Sequence, residues 1–256
     1  MKTSFLSTLS LAALGAATQV LLPLYVYPLT GVWDPVYNAI EENPDMLFRV
    51  IVNVDSGPGG DEYPASDYID AIAQLNSYDN VVTLGYVHTL YTEAPLSTLE
   101  ANVSTYAGWN DYSGGSNITI HGIFFDEAPY EDDSSYTEYM TSAANYATSL
   151  ALDYVVFNPG TITTVAAYYD AANLILNKEI SFDDWSTSTV SDIPEEYRGQ
   201  SAVMIHDFTD ISDISSVVST VVDYGIAAFY ATEDCCYNAI DSTLLDDLAS
   251  ELTELS

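Results

Sequence analysis

"IHGIFFDEAPYEDDSSYTEYMTSAANYATSLALDYVVFN", residues 120–158, holds two apolar runs separated by one long polar-faced stretch. The first run, 120–126, is continuous rather than alternating, as in a strand covered on both faces. Pro129 and a cluster of acids break it. Ser135, with Glu138 three residues on, reads as a capping box ahead of "YMTSAANYATSL". "DYVVFN" (153–158) is then a second strand. Strand, helix and strand over this length make a βαβ unit and predict a parallel sheet.

The same unit recurs outward in both directions. The further apolar runs are "LLPLYVY" (21–27), "LFRVIVNV" (47–54), "VVTLGYV" (81–87), "NLILNKEI" (173–180), "AVMIHDF" (202–208) and "IAAFYAT" (226–232). Helical patterns fill the gaps. Asp34-Pro35 reads as an N-cap followed by Pro at the first helical position. Ile69, Ile72 and Leu75 share one face, Ser97 and Glu100 form a second capping box, and "ISSVVSTVVDYG" ends on Gly225 as a C′ residue. "STLLDDLASELTEL" closes the chain. Eight strand–helix units at roughly 25–30 residues each predict an α/β fold, a single-domain (β/α)8 TIM barrel. The alternative, an open doubly wound sheet, usually carries a Gly-rich nucleotide turn after its first strand, whereas this strand runs into "YPLTGVWDP".

Four basic side chains stand against 38 acidic ones, a formal charge of −34. A phosphate backbone or an anionic membrane surface would be repelled, so neither nucleic acid nor membrane is an expected partner. The charge allows a cationic polymer as partner; it equally suits a secreted protein kept soluble in an acidic medium. With 48% hydrophobic residues the chain can fill a core, so the charge does not signal disorder. Lys2, the run "FLSTLSLAALGAA" and small residues near Ala16 predict a signal peptide over 1–18, leaving 19–256 as a secreted barrel. The sequons at Asn102 and Asn117 fit that route. Cys235 and Cys236 are adjacent and bridge no long loop, so a vicinal disulfide, two thiols and an intermolecular link all stay open. A monomer is expected.

In a parallel barrel the chemistry gathers at the carboxyl ends of the strands. Those ends present Tyr25 and Tyr27; Asn53 and Asp55; Tyr86, His88 and Tyr91; Asp126 and Glu127; Asn158; Glu179; and His206 with Asp207. Most acids in so acidic a chain are solvated loop residues, but Asp126 and Glu179 abut apolar strand cores, where a carboxylate is costly unless it is paired or used. Strand alternation puts Asp126 and Glu127 on opposite faces, so one should enter the pocket while the other supports it from the loop or reaches in from the rim. Two carboxylates across a pocket are what glycoside hydrolysis requires. Tyrosines, Trp33 and Trp185 could stack on sugar rings. None of the three histidines has metal-ligand spacing, no G-x-S-x-G occurs, and "DSGPGGDEY" lacks the Lys of a phosphate loop. Neither metal nor cofactor is expected. Lys178 shares a strand end with Glu179 and reads as solvated or ion-paired.

"PLYVYP", "WDPV", "VIVNVDSGPG", "VTLGYVHTLY", "GIFFDEAP", "VFNPG" and the strand bearing Glu179 occur in the order and character of the spherulin-4-like proteins. That family includes the fungal galactosaminogalactan hydrolases of glycoside hydrolase family 135, and the resemblance covers nearly all of the mature chain. It implies a (β/α)8 barrel that cleaves α-1,4 links in a polymer containing N-acetylgalactosamine. By this resemblance Asp126 is the nucleophile or charge stabiliser, Glu179 the acid/base and Glu127 a supporting carboxylate. The chain departs from the family pattern at Val54 and Asp55 and around "LNKEISF". The family also contains developmental and surface proteins, so the other expected function is non-catalytic polysaccharide binding. Asp126 and Glu179 pointing away from a common pocket would favour that function.

Overall fold

The structure is a computed structural model that describes residues 17–255. Residues 1–16 of the expected signal peptide lie outside the described residues, while Thr18 is buried and its hydroxyl donates to Ile226 O at 2.7 Å. The predicted barrel is the observed one. β1 (Gln19–Leu24), β2 (Phe48–Val52), β3 (Val81–His88), β4 (Gly122–Asp126), β5 (Tyr154–Phe157), β6 (Leu174–Ser181), β7 (Ser201–His206) and β8 (Ala228–Ala231) pair in sequence order. The parallel β1–β8 pair (Val20↔Phe229) closes the ring into a single domain. No helix among the described residues is long and apolar enough to cross a membrane.

The continuous apolar runs form the strands because both strand faces are covered, by the barrel interior and by the surrounding helices. The main helices are α1 (Asp34–Glu42), α2 (Ser66–Leu75), α3 (Leu96–Gly108) and α4 (Ser134–Ser149), followed by the short α5 (Ala166–Ala171), α6 (Ser188–Ser191) and α7 (Glu195–Arg198), and then α8 (Ile214–Asp223) and α9 (Ser242–Leu255). Each long helix turns a stripe of buried residues inward; α9, for example, buries Leu244, Leu245, Leu248 and Leu252. Gly122, inside the quoted strand, is required by close approach: a Cβ there would stand 2.0 Å from Tyr154 O on the neighbouring strand.

Helix starts differ from the expected caps. α1 begins at Asp34 itself, with Trp33 in the cap position and no side-chain cap bond. Neither capping box forms. Ser97 already lies in the first turn of α3 behind Pro95, which presets the entry. At α4 the cap is Asp133, whose carboxylate accepts from Ser135 N at 2.8 Å. An Asp accepts this bond at least as well as a Ser, and its charge suits the helix N-terminus. The expected C′ glycine of α8 is observed: Gly225 follows the cap residue Tyr224 with φ +72°.

α4 ends the same way but without glycine. Ala151 has φ +61°, and the Ala151 and Leu152 amides donate back to Thr148 O and Ala147 O, each at 3.1 Å. This is the hydrogen-bond pattern of a Schellman cap. An L-residue in this conformation costs about 1–2 kcal/mol, partly offset by the chain freedom an alanine does not have to lose. Ala151→Gly is therefore expected to stabilise the protein by about 0.5–1 kcal/mol, read as a raised Tm. A lowered Tm would contradict this account of the cap.

One irregularity positions the site. The β6–β7 register shifts between Leu176 and Lys178, leaving Asn177 as the extra residue. Asn177 is fully buried and satisfied: it donates to Tyr169 Oη (2.9 Å) and Ser201 Oγ (2.7 Å) and accepts from Thr163 N (3.1 Å). Bulges of this kind re-aim the residues beyond them, and Glu179 stands two residues on.

Candidate active site

At the carboxyl ends of β4, β5 and β6 a cleft of about 230 Å³ is lined by Tyr91, Asp126, Glu127, Asn158, Pro159, Gly160 and Glu179. Its centre is one amide. Asn158 Nδ2 donates to Asp126 Oδ1 at 2.7 Å and to Glu179 Oε2 at 2.9 Å. The amide orientation is fixed from behind, because Asn158 Oδ1 accepts from Gly160 N at 2.8 Å. The two hydrogens of an amide diverge by about 120°, which places the two acceptor oxygens roughly 5 Å apart.

Each carboxylate has a phenol on its other oxygen. Tyr86 Oη donates to Asp126 Oδ2 at 2.6 Å, and Tyr237 Oη donates to Glu179 Oε1 at 2.8 Å. Tyr25 packs edge-on against both rings, with centroids 5.4 Å and 5.9 Å away. Burial, and then the charge of the adjacent carboxylates, pushes the phenols of Tyr25, Tyr86 and Tyr237 well up from their usual value. At any ordinary pH they are neutral, so Tyr86 and Tyr237 act as donors. Asp126 and Glu179 are thus held by two hydrogen-bond partners each.

Asp126 is the last residue of β4 and Glu127 lies one residue beyond it, in the position of a carboxylate reaching in from the rim. Glu127 has φ +53°, in the left-handed region, and both side chains line the cleft. The turn is held through the Glu127 carbonyl, which accepts from Thr89 Oγ1 at 2.6 Å and Tyr91 N at 2.9 Å. Glu127 Oε2 is buried and accepts no hydrogen bond from the described residues. Of the eight non-glycine residues with positive φ among those described, Ser56, Leu90, Tyr91, Thr92, Glu127, Asp207 and Tyr237 lie in loops on this face; Ala151 alone lies elsewhere. Such backbone costs on the order of 1–3 kcal/mol per residue, and it collects where function imposes it.

Other strand-end residues stand outside the lining of this cleft. Tyr27 leans outward onto α2, its hydroxyl 3.0 Å from Asp67 Oδ2. Asn53 braces its loop by accepting from Gly57 N at 3.1 Å, and Asp55 is exposed beside it. His88 pairs in register with Asp126 and lies edge-on to Tyr86, outside the residues lining the cleft. His206 pairs with Asp207 at 2.8 Å, the one ion pair among the described residues, so Lys178 is ion-paired with none of them. No group of three or more His, Cys, Asp or Glu among the described residues is placed to hold a metal ion.

Tyr237 escaped the sequence reading. It is one of 21 tyrosines and sits in a loop, where no periodicity marks it. Its place shortly after the last strand was the available signal.

Three comparisons bear on this arrangement. Spherulin-4 of Physarum polycephalum is 28% identical over 246 residues, covering 91% of this chain and 69% of that protein. The crystal structure of Aspergillus clavatus Sph3 in complex with GalNAc superposes with a TM-score of 0.84 at 31% identity, covering 91% of this chain and 98% of that one. A Bacteroides thetaiotaomicron chitinase superposes at a TM-score of 0.57 with 8% identity, over 92% of this chain and 97% of that one, and shares the fold alone. The family described as spherulation-specific family 4 matches residues 19–250, nearly the whole of the barrel, and the chain belongs to that family, Spherulin4.

Proposed function

We propose that this protein is a secreted, monomeric, endo-acting glycoside hydrolase that cleaves α-1,4 links in a galactosamine- or N-acetylgalactosamine-containing polysaccharide. The observation that carries this reading is the Asn158 amide shared by Asp126 and Glu179, since it puts two carboxylates on one cleft at a spacing that suits catalysis. Support for the substrate comes from the likeness to Sph3, whose structure holds GalNAc.

A spacing of roughly 5 Å belongs to retaining enzymes, in which no water is placed between the acid and the nucleophile. In this mechanism Asp126 attacks the anomeric carbon while Glu179 gives a proton to the departing glycosidic oxygen. The new carbon–oxygen bond is a glycosyl–enzyme ester. Glu179, now a base, takes a proton from water, which displaces Asp126 and frees the reducing end. Glu127 lines the same cleft and supports the pair. Tyr91, 60% exposed at the cleft edge, supplies a face for a sugar ring. The net charge of −34 would draw in a partly deacetylated, cationic polymer.

The test is incubation of the purified protein with GalNAc-containing polymer, following reducing ends and the anomer first released. Oligosaccharides appearing as the α-anomer are expected. Release of the β-anomer would overturn the retaining mechanism. Polymer that binds but is never cut would leave polysaccharide binding as the function.

A further inference from the structure

The vicinal cysteines stand outside the function described so far, yet they immediately precede Tyr237, the residue that holds Glu179. Cys235 and Cys236 are exposed, with their sulfurs 2.6 Å apart. Tyr237 is buried and has φ +56°, a costly conformation for a bulky aromatic residue that must be imposed by its surroundings. Part of that comes from the backbone and part from the packing of its ring against Tyr25 and Tyr230. The turn wraps around the Asp234 carboxylate, which accepts from Asn238 N at 2.7 Å and Cys236 N at 3.3 Å. The Cys235 thiol is held up, to about 11, first by its hydrogen bond with Cys236 and then by its surroundings, so its thiolate is a minor species near neutral pH and ring closure is slow there.

We propose that Cys235 and Cys236 close as a vicinal disulfide in the oxidised protein, and that this ring makes Tyr237 a fixed positioning residue for Glu179; the catalytic half of this rests on the hydrolase reading above. The oxidant is a small-molecule disulfide of an oxidising compartment. One cysteine thiolate attacks it and expels a thiol, and the second cysteine then attacks the mixed disulfide and expels the other. Two thiols of the protein are oxidised, one external disulfide is reduced to two thiols, and both protons pass to the leaving groups. The ring removes rotations from the two residues that set the direction of Tyr237. A ring between adjacent residues is strained and exposed, which makes it reducible, so the lock is reversible.

The protein is prepared by secretion through an oxidising compartment and alkylated without reductant. The expected mass is unalkylated and lighter than the reduced form by two hydrogens. Alkylation of both sulfurs without reductant would overturn the proposal. Wild type and Tyr237→Phe are then compared, each oxidised and reduced, for Tm and for kcat and KM on the polymer. Reduction is expected to lower the wild-type kcat by about three- to tenfold with KM unchanged, and reoxidation to restore it, as expected for a loosened hydrogen bond to a charged group. In Tyr237→Phe, reduction should change kcat less than twofold and should lower Tm less than in wild type, because the two sites are coupled. Equal effects of reduction in both proteins would sink the link to Tyr237. The mass and Tm comparisons need no turnover, so a protein that cuts no polymer refutes the hydrolase reading without deciding the disulfide.

Discussion

Asp126→Asn and Glu179→Gln will each lower kcat for cleavage of GalNAc-containing polymer by about 10²–10⁴-fold while leaving polymer binding within a few fold. Both substitutions remove the charge and nearly nothing else. Each carboxylate receives Asn158 Nδ2 on one oxygen and a phenol on the other. An amide replacing it can keep its oxygen toward Asn158 and turn its NH₂ toward the phenol, since a hydroxyl accepts as readily as it donates. Folding should therefore be little disturbed, and a loss of turnover would report chemistry. The double variant should be no worse than about tenfold below the poorer single one, because residues that act as a unit do not add. If either single variant retains kcat within tenfold of wild type, that carboxylate is not one of the reacting pair. If both retain full polymer binding in a protein that never cleaves, the barrel is a binding module.

The fold was legible because the physical signal is long and redundant. Eight β-branched or aromatic runs without alternation demand eight doubly covered strands, and the short links between them leave a closed parallel ring as the economical solution. The acids Asp126 and Glu179 were legible for a related reason: a carboxylate beside an apolar strand core is costly, so its presence needs a cause. What could not be read was direction. The period of two that assigns faces holds only inside a strand, and Glu127 lies one residue past the end of β4 with φ +53°. The extra residue Asn177 in β6 likewise breaks the count just before Glu179. Tyr237 was hidden because its role depends on a contact across 58 residues of chain. The capping boxes failed at a smaller scale, where Pro95 and Asp133 had the better claim to the helix starts.

The clearest separation between a site and a coincidence of acids is expected at Asn158. Two carboxylates roughly 5 Å apart, when both are charged, repel by about 3 kcal/mol at an effective dielectric of 20. Asn158 offsets part of this by placing a hydrogen-bond donor between them, and at 7% exposure no water readily takes its place. Asn158→Asp is nearly isosteric but converts that donor into a third carboxylate. It should lower kcat by at least about a hundredfold and move the pH optimum upward, because an added negative charge beside the pair makes each carboxyl hold its proton more tightly. Asn158→Ala leaves the pair unscreened without adding charge and should lose about ten- to a hundredfold, hydrogen bonds to charged groups being worth about 1.5–3 kcal/mol. The ranking is the test. If the Ala and Asp variants fall equally with an unchanged pH profile, Asn158 serves only to brace Gly160 N and its loop. If the Asp variant is the worse and its pH profile moves, the amide sets the charge state of the pair.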